Sequence, residues 1–279
     1  MDPVAFTLIT FGMSLAFGFL GSLLGLGGGI FIVPALTLVL HLPIKSAIGA
    51  SIISVIATSS GAAAVYVRDH ITNIRAGMFL EMATTTGAIS GAYLAGLLKG
   101  QYLFILFALL MLYSAIMMFR KANVELPEGV VAHPLAEKLG LKGAYYDNVL
   151  GRSVAYQSAG VYQGFGLMYI AGVLSALLGI GNGAFKVMAM DMAMRLPMKV
   201  STATSNFMIG VTAAASAGVY LAKGDIDPVV AAPVALGVLI GATVGSGMLG
   251  HVKSSTIRKI FVPVLLFISI EMFLKGIRG

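Results

Sequence analysis

Residues 25–34 read GLGGGIFIVP, with four glycines in five positions and an apolar run on either side. Residues 179–188, GIGNGAFKVM, repeat the pattern with an asparagine and a lysine added. Glycine is the residue that lets a backbone turn sharply and approach another group closely. Its concentration inside hydrophobic sequence points to a break in a buried helix.

The surroundings are those of a membrane protein. Of 279 residues, 58% are hydrophobic and 10% are charged, and the mean hydropathy is +0.95. A soluble chain of this length needs far more polar surface. Apolar runs fall near 4–24, 46–67, 77–98, 101–119, 160–178, 200–222, 229–249 and 256–274. They lack the strict alternation of a membrane β-barrel, so an all-α integral membrane fold is expected. No basic stretch precedes the first run, which argues against a cleaved signal peptide.

Sliding the chain against itself by 154 residues aligns the two glycine stretches without a gap. Gly25, Gly27, Gly29, Phe31 and Val33 fall on Gly179, Gly181, Gly183, Phe185 and Val187. Leu42-Pro43 falls on Leu196-Pro197, Ser51 on Ser205, and Gly87 and Gly91 on Gly241 and Gly245. The chain is therefore a duplication, read as a first membrane repeat over 1–119, a linker over 120–156 and a second repeat over 157–279.

Each repeat has one odd member, a short apolar piece at about 30–41 or 184–195. A dozen helical residues span about 18 Å, well short of a hydrocarbon core about 30 Å thick. Both pieces read as half-helices that begin inside the membrane and form a hairpin with the long helix before them. If each hairpin returns to its starting side, the repeats are inverted. Twelve Lys and Arg then lie on the linker side, five on the other, and Lys186 within the membrane. Counting the hairpin as a crossing reduces the split to ten against seven. The positive-inside rule favours inversion, with both termini outside and the linker cytoplasmic. The linker, with both charge signs, two prolines and a short amphipathic stretch at 134–140, reads as a structural connector.

Inverted repeats with glycine-interrupted helices at matching positions are a pattern of secondary transporters. A helix starting within the membrane presents unpaired N–H groups and the positive end of its dipole, which favour an anion. Gly27, Gly28 and Gly29 in one tip and Gly181, Asn182 and Gly183 in the other are the candidate donors. Gly87/Gly91 and Gly241/Gly245, at small-xxx-small spacing, instead read as helix-packing positions.

Lys186 aligns with Ile32, and Asn182 with Gly28. A lysine in the first turn of a half-helix gains nothing from the dipole, whereas an anion beside it would. An intramembrane cation is a functional candidate by default, with snorkelling toward headgroups the alternative. Glu81 aligns with Ala235. Three roles stand open for it: neutralising Lys186, carrying a coupling proton, or facing interfacial water. Ser51, Ser205 and Asn206 can donate either to an oxyanion or between helices.

Cysteine is absent, and His41, His70, His133 and His251 have no metal-ligand spacing. No nucleophile motif or phosphate-binding loop occurs, so neither an enzyme nor a cofactor nor a metal is expected. The net charge of +7 sits at the ends of apolar runs and needs no nucleic acid.

The stretch GLGGGIFIVPAL (Gly25 to Leu36), with Pro43, Ser51 and the degenerate second copy, resembles the TauE/SafE sulfite-exporter family over nearly the whole chain. The second copy departs from the pattern at Asn182, at Met188 (which stands where Pro34 does) and at Lys186. The resemblance implies transport, often export, of small sulfur-containing anions such as sulfite, organosulfonates or sulfoacetate. The expected partners are thus a small anionic substrate and the lipid bilayer. Proton coupling and unassisted uniport fit the residues equally, and oligomeric state is left open. An anion channel is the rival reading, since a pore can use the same helix ends for selectivity.

Overall fold

The computed structural model describes residues 2–24, 28–120, 129–148, 150–181, 183–248 and 254–278. Two expected site residues, Gly27 and Asn182, lie outside them.

In the first repeat α1 (Pro3–Leu24) leads to α2 (Gly29–Pro34), which widens into a π-helical turn over Ala35–Val39. Then follow α3 (Ile44–Arg68), α4 (Ile74–Leu97) and α5 (Gly100–Arg120). The second repeat runs α7 (Val161–Leu178), α8 (Gly183–Met188), a π turn over Ala189–Ala193, α9 (Met198–Ala222), α10 (Pro228–Met248) and α11 (Ser254–Arg278). From α2 onward each element begins 154 residues before its counterpart. Both π turns end at a left-handed residue that is not glycine, His41 (φ 52°) and Arg195 (φ 54°). Pro34 has Met188 as its counterpart, so proline is not what widens the helix.

Among the described residues five helices are long and apolar enough to cross a membrane: Pro3–Ser22, Ile44–Arg68, Val161–Leu178, Met198–Ala222 and Pro228–Met248. α4 has the length for a crossing but carries Glu81 and three consecutive threonines, Thr84–Thr86. The large apolar side chains left exposed, among them Leu8, Leu97, Phe119 and Ile277, ring the outside. Such a surface suits lipid and not water.

The two repeats interlock. α1 packs along α10, its equivalent α7 along α4, α3 against α9 and α10, α9 against α4, and α5 against α11. Each of these pairs joins one repeat to the other. Glycines allow the closest approaches. A Cβ at Gly241 would stand 2.0 Å from the Leu15 carbonyl, and one at Gly87 would stand 2.2 Å from that of Tyr169. Leu15 and Tyr169 are themselves counterparts, so the pseudo-symmetry extends to single contacts. The packing role expected of these glycines is the one they have.

Within each repeat a buried tyrosine secures the end of the first long helix. Tyr66 Oη donates to Ser22 O (2.9 Å) and Tyr220 Oη to Ala176 O (2.7 Å). These carbonyls belong to a last helical turn, where intrahelical donors run out. The second hairpin closes on itself: Ala159 N donates to Met194 O (2.9 Å), beside the start of α7.

The linker corrects the all-α expectation in one respect. The short helix appears as α6 (Pro134–Lys138), but β1 (Gly143–Asp147) and β2 (Arg152–Tyr156) follow it as an antiparallel hairpin. Aromatic and branched residues favour the strands, and Asp147 holds the turn by accepting from Leu150 N (3.2 Å). The hairpin is docked rather than free. Asn73 Nδ2 donates to Leu141 O (2.8 Å) and Tyr156 Oη (3.2 Å), and Lys199 pairs with the buried Asp147 (2.8 Å). The linker thus covers the ends of α4 and α9.

Candidate functional site

The two glycine tips meet between α3 and α9. A Cβ on Gly29 would lie 2.6 Å from Ser51 Oγ and 2.7 Å from Gly179 O, so only glycine fits there. Ser51 Oγ donates to Gly179 O (2.6 Å), tying α3 of the first repeat to the second tip. Gly28 N donates to Thr58 Oγ1 (3.3 Å). Gly181 adopts φ 67° between Val55 and Ile209, a conformation that L side chains rarely adopt. Ser205 Oγ reaches Gly183 O (3.4 Å) at the start of α8.

The structure therefore brings Gly28, Gly29, Ser51, Gly181, Gly183 and Ser205 into one region. The two tips touch through the Ser51–Gly179 contact. Asn206 lies close by on α9, but its amide donates to Thr202 O (3.3 Å) and Ser22 O (3.4 Å), while its backbone carbonyl accepts from Ser59 Oγ. Its Oδ1 is buried without a hydrogen-bond partner among the described residues.

Lys186 is fully buried, with 0% of its surface exposed. It does not snorkel. Its Nζ donates to Thr212 Oγ1 (2.5 Å), and Thr212 Oγ1 donates in turn to Glu81 Oε1 (2.6 Å). Glu81 also accepts from Thr85 Oγ1 (3.0 Å), and its Oε2 is buried with no partner among the described residues. Thr212 is the counterpart of Thr58, whose hydroxyl takes a tip N–H in the first repeat. In the second repeat the same hydroxyl joins a cation to an anion.

Thr212 is the residue that sequence reasoning missed. A threonine in a helix carries no charge to mark it, and only its alignment with Thr58 hints at a role. Its importance depends on α9 lying against α4. Glu81 also borders a lateral cavity of about 570 Å³ between α4 and α9, lined by Met78, Met82, Thr85, Thr86, Phe207 and Val211. A second cavity, about 860 Å³, opens beside the linker hairpin and is lined in part by Lys142, Arg152 and Arg195. Among the described residues no group of His, Cys, Asp and Glu is arranged to hold a metal ion.

Long apolar helices enclosing a polar centre, with a charged network fully buried among them, define a multi-pass membrane protein of the transporter class. The chain belongs to the sulfite exporter TauE/SafE family, whose family model matches residues 10–272. It is similar to the probable membrane transporter protein YunE of Bacillus subtilis (strain 168), at 27% identity over 95% of this chain and 96% of that one. It is also similar to the probable membrane transporter protein YdhB of the same organism, at 26% identity over 86% of this chain and 87% of that one. No solved structure matches it significantly. The protein is a membrane transporter.

Proposed function

We propose that the protein is a secondary carrier that exports small sulfur-containing anions of the sulfite and organosulfonate class across the inner (plasma) membrane. The anion binds between the parted glycine tips, with backbone N–H groups of Gly27–Gly29 and Gly181–Gly183 as donors and Lys186 as the compensating charge. Ser51, Ser205 and Asn182 add polar contacts, and Asn206 does so once its present bonds are released.

The observation that carries this reading is Lys186. Removing an ammonium from water costs several kcal/mol even after relaxation. Here that cost is borne at a fully buried position, in one repeat only, in the helix that starts at the second tip. Structural packing alone would be served as well by the isoleucine of the other half. The Ser51–Gly179 contact closes the centre, which suits a carrier with an occluded state better than an open pore. Because the repeats interlock, alternating access moves the group α1–α3–α10 against α4–α7–α9, hinged where α3 meets α9. The return of the second hairpin to its own starting side supports inverted repeats, with the linker cytoplasmic and both termini outside.

The test is thermal stabilisation of the purified protein and its Lys186→Met variant by sulfite, thiosulfate, taurine, sulfoacetate and sulfate, with a carboxylate control. An anion present at about 100 times its Kd stabilises the folded state by about 2.7 kcal/mol. A sulfur anion is expected to stabilise the wild type and to lose that effect in the variant. Equal stabilisation of both proteins removes Lys186 from the site, and no shift with any anion returns the glycines to a packing role.

A further inference from the structure

We infer that the Lys186–Thr212–Glu81 chain makes this carrier a proton–anion symporter, with Glu81 taking up one proton for each anion that engages Lys186. The inference rests on the anion-carrier reading above and adds to it what travels with the anion.

The geometry sets the charge balance. In the resting arrangement the ammonium of Lys186 and the carboxylate of Glu81 are joined through one hydroxyl, Thr212 Oγ1, at 2.5 and 2.6 Å. Together they are neutral. A singly charged anion arriving at the second tip is drawn to the same ammonium, and the buried set then carries one negative charge too many; a doubly charged one leaves a second charge to the tip N–H groups. In a low-dielectric interior such an excess is costly. Adding a proton to Glu81 removes it: a new O–H bond forms on the carboxylate, hydronium supplies the proton, and no other bond breaks. When the anion leaves, Glu81 releases the proton and regains Lys186 through Thr212. Anion and proton thus favour each other's binding, which is the thermodynamic condition for symport.

Three further observations fit this role. Glu81 Oε2 is buried and unpartnered among the described residues, which leaves a carboxylate oxygen free to be protonated. The cavity between α4 and α9 reaches Glu81, so the carboxylate is approached from a side other than the tips. Glu81 belongs to the first repeat and Thr212 with Lys186 to the second, so the network joins the two halves. The counterparts in the other half are Ala235, Thr58 and Ile32, so there is one such device per molecule.

Most other titratable groups on nearby elements are engaged elsewhere. On α9, Lys199 pairs with Asp147, Tyr220 donates to Ala176 O, and Lys223 donates to Ala92 O. On α7, Tyr162 lies edge-on to His133 and Tyr169 donates to Ser90 Oγ. On α3, Tyr66 donates to Ser22 O and Arg68 pairs with Asp69. On α5, Tyr113 packs its ring at a tilt against that of Phe185. On α4, Arg75 lies against Gly140 and Tyr93 beneath Lys223. Asp191, five residues beyond Lys186, lies in the π turn over Ala189–Ala193.

The direction of transport then follows the sum of the two gradients. Such a carrier exports when the internal anion concentration outweighs an acid exterior.

The experiment uses the full-length protein in lipid vesicles enclosing a pH-sensitive dye, with labelled isethionate and thiosulfate as probes. Both stay fully ionised over the working range and carry no proton themselves. Exchange at equal pH on both sides is measured first, then uptake after acidification of the exterior. For the wild type we expect exchange, uphill accumulation after the acid step, and internal acidification that requires the anion. Glu81→Gln is expected to lose the anion-dependent acidification. Thr212→Val is expected to lose it too, and Thr212→Ser to restore it, which guards against misreading a folding defect. Exchange by the wild type without acid-driven accumulation overturns the coupling and leaves the carrier reading standing. Anion-dependent acidification by Glu81→Gln at the wild-type rate also overturns it. Absence of exchange by the wild type with both probes overturns the carrier reading for these anions and the coupling with it.

Discussion

Lys186 and Glu81 are joined through the hydroxyl of Thr212, and the connection governs stability. Removing one partner of a buried charged set leaves the other uncompensated, at a cost of about 3–5 kcal/mol. Lys186→Met is expected to destabilise the protein by about that amount, and adding Glu81→Gln to recover a substantial part of it. Denaturant titration of the two single variants and the double variant measures this; strictly additive effects would mean that Lys186 and Glu81 do not act as a unit. Both charges were visible in the sequence, because a charge in an apolar run stands out by composition alone. Their connection was not: they lie 105 positions apart in different repeats, and the atom between them is the hydroxyl of an ordinary threonine.

Most helices were legible at the scale of elements, since the apolar runs and the 154-residue shift locate their ends to within a few residues. Three features were not. The π turns depend on how α2 and α8 end against their neighbours, and no residue type marks them, as Met188 in place of Pro34 makes plain. The β-hairpin carried a readable signal in Tyr145, Tyr146, Val154 and Tyr156 on either side of Asn148 and Gly151, but it was overshadowed by the polar composition of the linker. The partner of each glycine-lined helix was also hidden, because spacing shows that a helix packs closely and not against which neighbour. Backbone contact makes these positions unforgiving. Gly241→Ala places a methyl 2.0 Å from the Leu15 carbonyl, and forced overpacking of this kind costs about 1–3 kcal/mol. Gly218 on α9 has nothing within 4 Å of a built Cβ. Gly218→Ala is therefore expected to stabilise the helix, by up to about 1 kcal/mol. Melting temperatures that move in opposite directions for the two variants would bear this out, and equal shifts would contradict the α1–α10 contact.

For the whole molecule, duplication alone does not decide between parallel and inverted halves; the sides on which the loops lie do. The two arrangements differ most cleanly at a pair of positions. In the inverted arrangement the linker, with Lys142, lies in the cytoplasm, and the α9–α10 loop, with Asp227, lies outside. If each hairpin instead counts as a crossing, both positions share one side. Asn73 and Lys199 hold the linker at the end where α4 begins, whereas Asp225 lies against Gly49 near the start of α3, and Lys223 reaches Ala92 near the end of α4. Each of these helices places its two ends on opposite faces. Because the chain has no cysteine, Lys142→Cys and Asp227→Cys each introduce a single thiol without a background to remove. A membrane-impermeant maleimide applied to intact cells is expected to label Cys at 227 and to reach Cys at 142 only after the membrane is opened. Labelling of both from the same side would leave the repeats parallel. The opposed tips would then lose the geometry that points two helix N-termini at one anion, and with it the physical reason for placing the glycines where they are.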